Sequence, residues 1–175
     1  MGRLEIRPAR PEELEAAGQV VVRAYQADGY QVGGYARTLA DAADRARDAE
    51  VAVAVDAGMV VGSVTFALAG SRWAELARPG EAEFRMLGVD PDHRGRGVGR
   101  ALVECCLDLA RRSGSTALVL CSMAEMTTAH RLYDLLGFER RPDLDWEPEP
   151  GTLLLGFHRR LTADRAEPTG PSRPG

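Results

Sequence analysis

At 175 residues the chain has the size of one domain with a full core, and its 45% hydrophobic and 27% charged residues are ordinary for a globular protein. A net charge of −4 argues against nucleic acid as a general partner, and no apolar run approaches the roughly 20 residues of a membrane span. Three cysteines, an odd number set in apolar segments, read as core hydrophobes, and the three histidines (His93, His130, His158) lack metal-ligand spacing, so no metal site is expected.

The chain starts Met1-Gly2-Arg3-Leu4-Glu5 without the apolar segment of a signal peptide, and Ile6 stands where a myristoylation signal wants Ser or Thr. A cytoplasmic location is therefore expected. Leu4 to Arg7 alternates like a strand, and Pro8 ends it. From Pro11 to about Asp28 the spacing of Leu14, Ala17, Val20, Val21, Ala24 and Tyr25 predicts a helix. A glycine-rich aromatic loop follows to Tyr35, and its tyrosines either pack on the core or contact a ligand. Ala36 to about Ala49, rich in alanine and mixed charge, predicts one partly exposed second helix. Glu50–Asp56 and Met59–Leu68 read as a hairpin turning on Ala57-Gly58, and Gly70 to Gly80 as a loop.

The most informative stretch runs from Glu81 to Ser113. Phe84, Met86, Leu87 and Val89 mark a buried strand, Asp90-Pro91-Asp92 stops it, and Gly95, Gly97 and Gly99 precede a strongly periodic helix. A strand, a glycine-rich turn and a helix N-terminus leave main-chain N–H groups and the positive end of the helix dipole facing one spot, which suits a phosphate. Arg94, Arg96 and Arg100 add positive charge around it. No Lys-Ser or Lys-Thr pair follows Gly99, so a P-loop does not fit; the residue three after Gly97 is Arg100, so a dinucleotide fingerprint does not fit either.

Ala117–Cys121 then reads as a strand buried on both faces, parallel to the one before it. A helix over Glu125–Leu136 puts Ala129, Leu132, Tyr133 and Leu136 on one face, and Gly137 suits its cap. Phe138 opens a short strand, a proline-rich excursion follows, and Thr152–Leu161 returns as the last strand. The composition from Thr162 onward predicts a disordered tail, leaving one domain over residues 1–161.

Arg94-Gly95-Arg96-Gly97-Val98-Gly99 resembles the Arg/Gln-x-x-Gly-x-Gly/Ala signature of the GNAT acetyltransferase superfamily. The stretch Ala129-His130-Arg131-Leu132-Tyr133-Asp134-Leu135-Leu136-Gly137-Phe138 resembles that family's second segment, in the right order and separated by the expected helix and strand. The resemblance implies a mixed α/β GNAT fold, a mostly antiparallel sheet with one splayed parallel pair flanked by helices. It implies acetyl-CoA as co-substrate, its pyrophosphate at Arg94, Gly95, Arg96, Gly97, Val98, Gly99 and Arg100, and its pantetheine arm on the main chain of Leu87, Gly88 and Val89. The implied reaction is acetyl transfer to a primary amine, on a small molecule or a peptide, by direct attack in a ternary complex.

Tyr133 matches the family's general acid, and Glu83 stands where some members carry a base acting through water. Glu83 reads equally as an ion-pair partner for Arg85, and a bulge in its strand, usual in the family, changes which side chains face the cleft. Tyr25, Tyr30 and Tyr35 are candidates for the acceptor side. Asp28, Glu75, Asp143 and Asp145 either mark a cationic acceptor or are solvated loop charges. One departure is Met126, where many relatives carry an asparagine that contacts the cofactor arm; Ser122 or Thr127 is the available substitute. Homodimers are common in the family, though no feature of this sequence specifies one. The rival reading is a non-catalytic acyl-CoA-binding or sensing module of the same fold.

Overall fold

The computed structural model describes residues 3–30 and 33–162. The elements in chain order are β1 (Glu5–Pro8), α1 (Leu14–Ala27), α2 (Tyr35–Ala40), α3 (Ala42–Arg45), β2 (Glu50–Asp56), β3 (Met59–Leu68) and β4 (Glu81–Val89). They continue with α4 (Val98–Arg112), β5 (Ala117–Met123), α5 (Thr127–Leu135), β6 (Glu139–Arg140) and β7 (Leu154–Arg160). The strands form one sheet in the order β1-β2-β3-β4-β5-β7-β6, with β4 and β5 its parallel pair and the other neighbours antiparallel. The expected mixed sheet with helices on it is therefore what the chain builds.

Alternation along β2 sorts the two layers. Val51, Val53 and Val55 pack with Ala17 of α1 and Ala42 of α3, whereas Ala52 and Ala54 join Leu102, Cys106 and Ala110 of α4 on the opposite face. The β2–β3 turn has Ala57 and Gly58 both at positive φ (48° and 81°), the backbone of a two-residue hairpin whose twist matches its strands.

The expected single helix over 36–49 is instead two short ones. Asp41 leaves helical geometry at ψ 68°, and its carboxylate accepts the Asp44 N–H at 2.9 Å, capping α3. The turn lets fully buried Arg45 reach back and donate to the carbonyls of Thr38 and Leu39, at 2.5 and 3.0 Å, and to Thr65 Oγ1 at 2.9 Å. Arg45 thus satisfies the open carbonyls at the end of α2, which an unbroken helix would not have needed.

Two irregularities in β4 make the site. Its ladder with β5 covers only Glu81–Glu83 against Ala117–Val119, so from Phe84 onward that edge of β4 has no strand partner. Between Arg85 and Gly88 two residues oppose the single Val64 of β3, a β-bulge with Met86 at φ 54°. The expected disordered tail lies, from residue 163, outside the described residues. Among the described residues no helix is long and apolar enough to cross a membrane.

Candidate active site

The glycine turn closes on the start of α4. Gly97 is the N-cap at φ 78°, Gly95 has φ 73°, and no side chain caps the first turn. A Cβ built on either glycine would meet nothing within 4 Å, so the uncapped N–H groups of the helix face open space. Such a turn can seat an anion. Gly99 differs, since a Cβ there would make ordinary contacts, at 3.6 Å, with Leu132 and Val89.

Each of the three arginines has a carboxylate neighbour. Arg94 forks onto Asp28 at 2.6 and 3.1 Å and donates to the Ala24 carbonyl at 3.0 Å, locking the turn to the end of α1. Arg96 is 4.0 Å from Asp56, and Arg100 pairs with Glu104 on its own helix at 2.9 Å.

Gly88 is where β4 presses on α1. A Cβ there would stand 2.8 Å from Val21 Cα. Leu87, the second bulge residue, and Gly88 and Val89 after it lie on the edge of β4 that has no strand partner, beside the gap toward β5. In that gap stands Tyr133 of α5, 5% exposed, its ring among Phe84, Phe138 and Phe157 at centroid distances of 5.9, 6.0 and 5.8 Å. Burial pushes its phenol well above the ordinary value, so it remains protonated at neutral pH.

On the α1 face of the sheet, alternation puts Glu83 and Arg85 side by side on β4, opposite Ala67 and Thr65 of β3. Glu83 is fully buried. Its Oε2 accepts the N–H groups of Leu76 and Ala77 at 2.7 and 3.1 Å, while Oε1 has no partner. Burial raises its pKa, and the two N–H groups only partly oppose that. The expected alternative pairing with Arg85 is not made: Arg85 lies 3.2 Å from Glu75 instead.

Tyr25, half-buried, and Tyr35, exposed at the start of α2, are neighbours of Arg85 with phenols raised chiefly by desolvation, and Tyr30 stands edge-on to Tyr25 at 6.1 Å. Burial pushes the Cys121 thiol up to about 11, so it is no nucleophile at neutral pH. At α5, Ser122 already contacts the Met126 sulfur at 3.5 Å and His130 Nε2 at 3.2 Å, which leaves Thr127 as the freer substitute for the missing asparagine.

The acidic residues are not a free negative patch. Asp28 pairs with Arg94, Glu75 with Arg85, Asp143 with Arg78 and Arg141, and Asp145 with Arg140. They are partly solvated charges, each paired with at least one arginine. The sequence marks Arg85 only as an ion-pair candidate and Cys121 only as a core hydrophobe, although period-two spacing from Glu83 and Val119 puts both on this face.

A strand that parts from its parallel neighbour at a bulge, an open glycine turn on the next helix and a buried tyrosine in the gap now stand together. The family model for the acetyltransferase (GNAT) family matches residues 19–138. The chain belongs to the GNAT acetyltransferase family. It is 37% identical over 86 residues to a mycothiol acetyltransferase of Geodermatophilus obscurus, a stretch that is 45% of this chain and 28% of that protein. The chain thus spans about a quarter of that relative's length. A GNAT-family acetyltransferase structure from Staphylococcus aureus Mu50 superposes with a TM-score of 0.74 at 12% identity, covering 91% of this chain and all of that one. The structure of yncA, described as a putative acetyltransferase from Salmonella typhimurium with its cofactor acetyl-CoA, gives 0.66 at 23% identity, covering 91% and 95%. These two likenesses establish the GNAT fold.

Among the described GNAT residues no group of three His, Cys, Asp or Glu is placed to hold a metal.

Proposed function

We propose that this GNAT chain is an acetyl-CoA-dependent N-acetyltransferase acting on a primary amine by direct attack. The observation that carries the reading is the parting of β4 from β5 after Glu83, with the bulge, the open glycine turn and Tyr133 around the gap.

The uncapped start of α4 offers its N–H groups to the pyrophosphate, with Gly95 and Gly97 keeping side chains out of the way. The unpaired edge of β4 at Leu87, Gly88 and Val89 offers main-chain groups to the pantetheine arm and the thioester oxygen. Bound there, acetyl-CoA supplies an activated acetyl group. An alkyl ammonium with a pKa of about 10.4 must lose a proton before its nitrogen can attack. Glu83, its unpartnered oxygen available and its pKa raised by burial, receives that proton through water. As the carbon–nitrogen bond forms and the carbon–sulfur bond breaks, Tyr133 delivers its proton to the departing sulfur, and the second proton shed by the nitrogen restores the phenol through solvent. No cysteine takes the acetyl group, consistent with the protonated Cys121 and the buried Cys106.

Calorimetric titration with acetyl-CoA, followed by thiol release across a panel of amines, tests this. Binding together with release for one amine class is expected. Absence of acetyl-CoA binding would remove the basis of the reading.

A further inference from the structure

Several arginines of this chain are satisfied by one carboxylate that takes two of their N–H groups. Arg7 forks onto Glu13 at 2.7 Å twice, and Arg140 onto Asp145 at 2.9 and 2.7 Å. Arg85 is treated differently. Its side chain is only 13% exposed, yet its one hydrogen bond is from Nη1 to the Trp73 carbonyl at 3.3 Å. Glu75 approaches the same Nη1 at 3.2 Å from a half-exposed position in the loop. Among the described residues, Nε and Nη2 of Arg85 have no partner.

The surrounding wall repeats the pattern. Trp73 Nε1 and Arg45 Nη2 are buried N–H groups without acceptors, and Trp146 Nε1 has only the Cys121 sulfur beside it. Buried polar groups are rarely left so, and when they are, a ligand is one explanation. The surplus here is of donors. Among the described residues, Glu83 Oε1, one alternation step along β4 from Arg85, is a buried acceptor without a partner, and Ser63 Oγ on β3 is a second polar atom left so.

We propose that the acceptor amine carries a carboxylate, and that Arg85 is the residue that selects it. This rests on the acetyl-transfer reading above and names the substrate class of the same site. The carboxylate takes Nε and Nη2 of Arg85 as a fork, Glu75 swings out to solvent, and the amine lies toward Glu83. A polyamine would set a second ammonium against a half-buried guanidinium with no carboxylate to offset it, and is disfavoured.

The test uses the whole chain saturated with acetyl-CoA, or with CoA for binding, and matched acceptors: each α-amino acid beside its amide and its decarboxylated amine. We expect kcat/KM to favour the carboxylate member of the best pair by about tenfold or more, as a charge-assisted fork implies. In Arg85→Gln that preference disappears through KM, and Arg85→Lys restores only part of it. Glu75→Gln, by removing the internal competitor, lowers KM for the carboxylate acceptor, a gain that a damaged fold cannot mimic. Equal or better use of the amide or decarboxylated amine overturns the proposal while leaving acetyl transfer standing. So does calorimetry in which acetyl-CoA binds but no carboxylate-bearing amine binds the CoA complex. Failure of acetyl-CoA itself to bind would instead strike the transfer reading.

Discussion

The ring of Tyr133 meets Phe84 edge to face with centroids 5.9 Å apart, and Phe84 is the first residue of β4 beyond its ladder with β5. The phenol is thereby fixed where the strands part. Replacing Tyr133 by Phe keeps the four-ring cluster and removes only the hydroxyl. A kcat about 100-fold lower is expected, with a melting temperature close to that of the parent, since general acid catalysis contributes about 10²–10⁴ and the packing is untouched. Unchanged turnover in the phenylalanine variant would show that the departing sulfur takes its proton elsewhere.

Glu83 titrates in a place that favours its neutral form, so its effect on stability has a definite sign. With its pKa raised in the folded chain, its contribution is most favourable below the unfolded value near 4.5 and is lost as pH rises through the folded one. Glu83→Gln retains an oxygen for the N–H groups of Leu76 and Ala77 but cannot ionise. The variant should gain stability relative to the parent as pH goes from 4 to 8 in urea titrations, and it should lose the acidic limb of the kcat/KM profile. A stability difference that does not vary with pH would mean that Glu83 ionises as freely folded as unfolded.

Gly97 and Gly114 form a matched pair for the anion seat. Both have left-handed backbone, φ 78° and 74°, and a Cβ on either meets nothing within 4 Å. Changing each to Ala costs about 1–2 kcal/mol of backbone strain, at opposite ends of α4. Only Gly97→Ala also puts a methyl before the uncapped N–H groups. Its acetyl-CoA dissociation constant should rise about tenfold or more while that of Gly114→Ala stays put, which titration of the two proteins side by side would reveal. Equal affinities would move the pyrophosphate away from the turn.

What the sequence disclosed and what it hid divide by range. The Ala57-Gly58 hairpin, the strand–turn–helix around Gly97 and the apolar run of β5 obey rules acting within a few residues, and all are readable. The break at Asp41 was concealed by alanine-rich helix propensity, because its cause is Arg45 turning inward to meet Thr65, twenty residues away. Partner choice among charges was hidden likewise. Arg85 stands two residues from Glu83 yet pairs with Glu75, since the loop before β4 brings the Leu76 and Ala77 N–H groups to Glu83 first. The bulge left no glycine as a mark, since Met86 itself adopts φ 54°.

Gly18 sets how closely α1 and α2 approach, and through them the acceptor side. A Cβ there would overlap the Ala40 carbonyl, a main-chain group at the end of α2 that cannot rotate aside. On an isolated helix Gly→Ala would stabilise by about 1 kcal/mol; here the overlap should reverse the sign, with a net loss of about 1–3 kcal/mol. Because Tyr25 lies near the end of α1 and Tyr35 opens α2, parting these helices also displaces both phenols from Arg85. Gly18→Ala should therefore melt several degrees lower and show a raised KM for the acceptor, while the glycine turn at α4, remote from this contact, keeps its affinity for acetyl-CoA. A variant as stable as the parent would mean that α1 and α2 can separate at no cost, and the acceptor wall would then be less rigid than its packing implies.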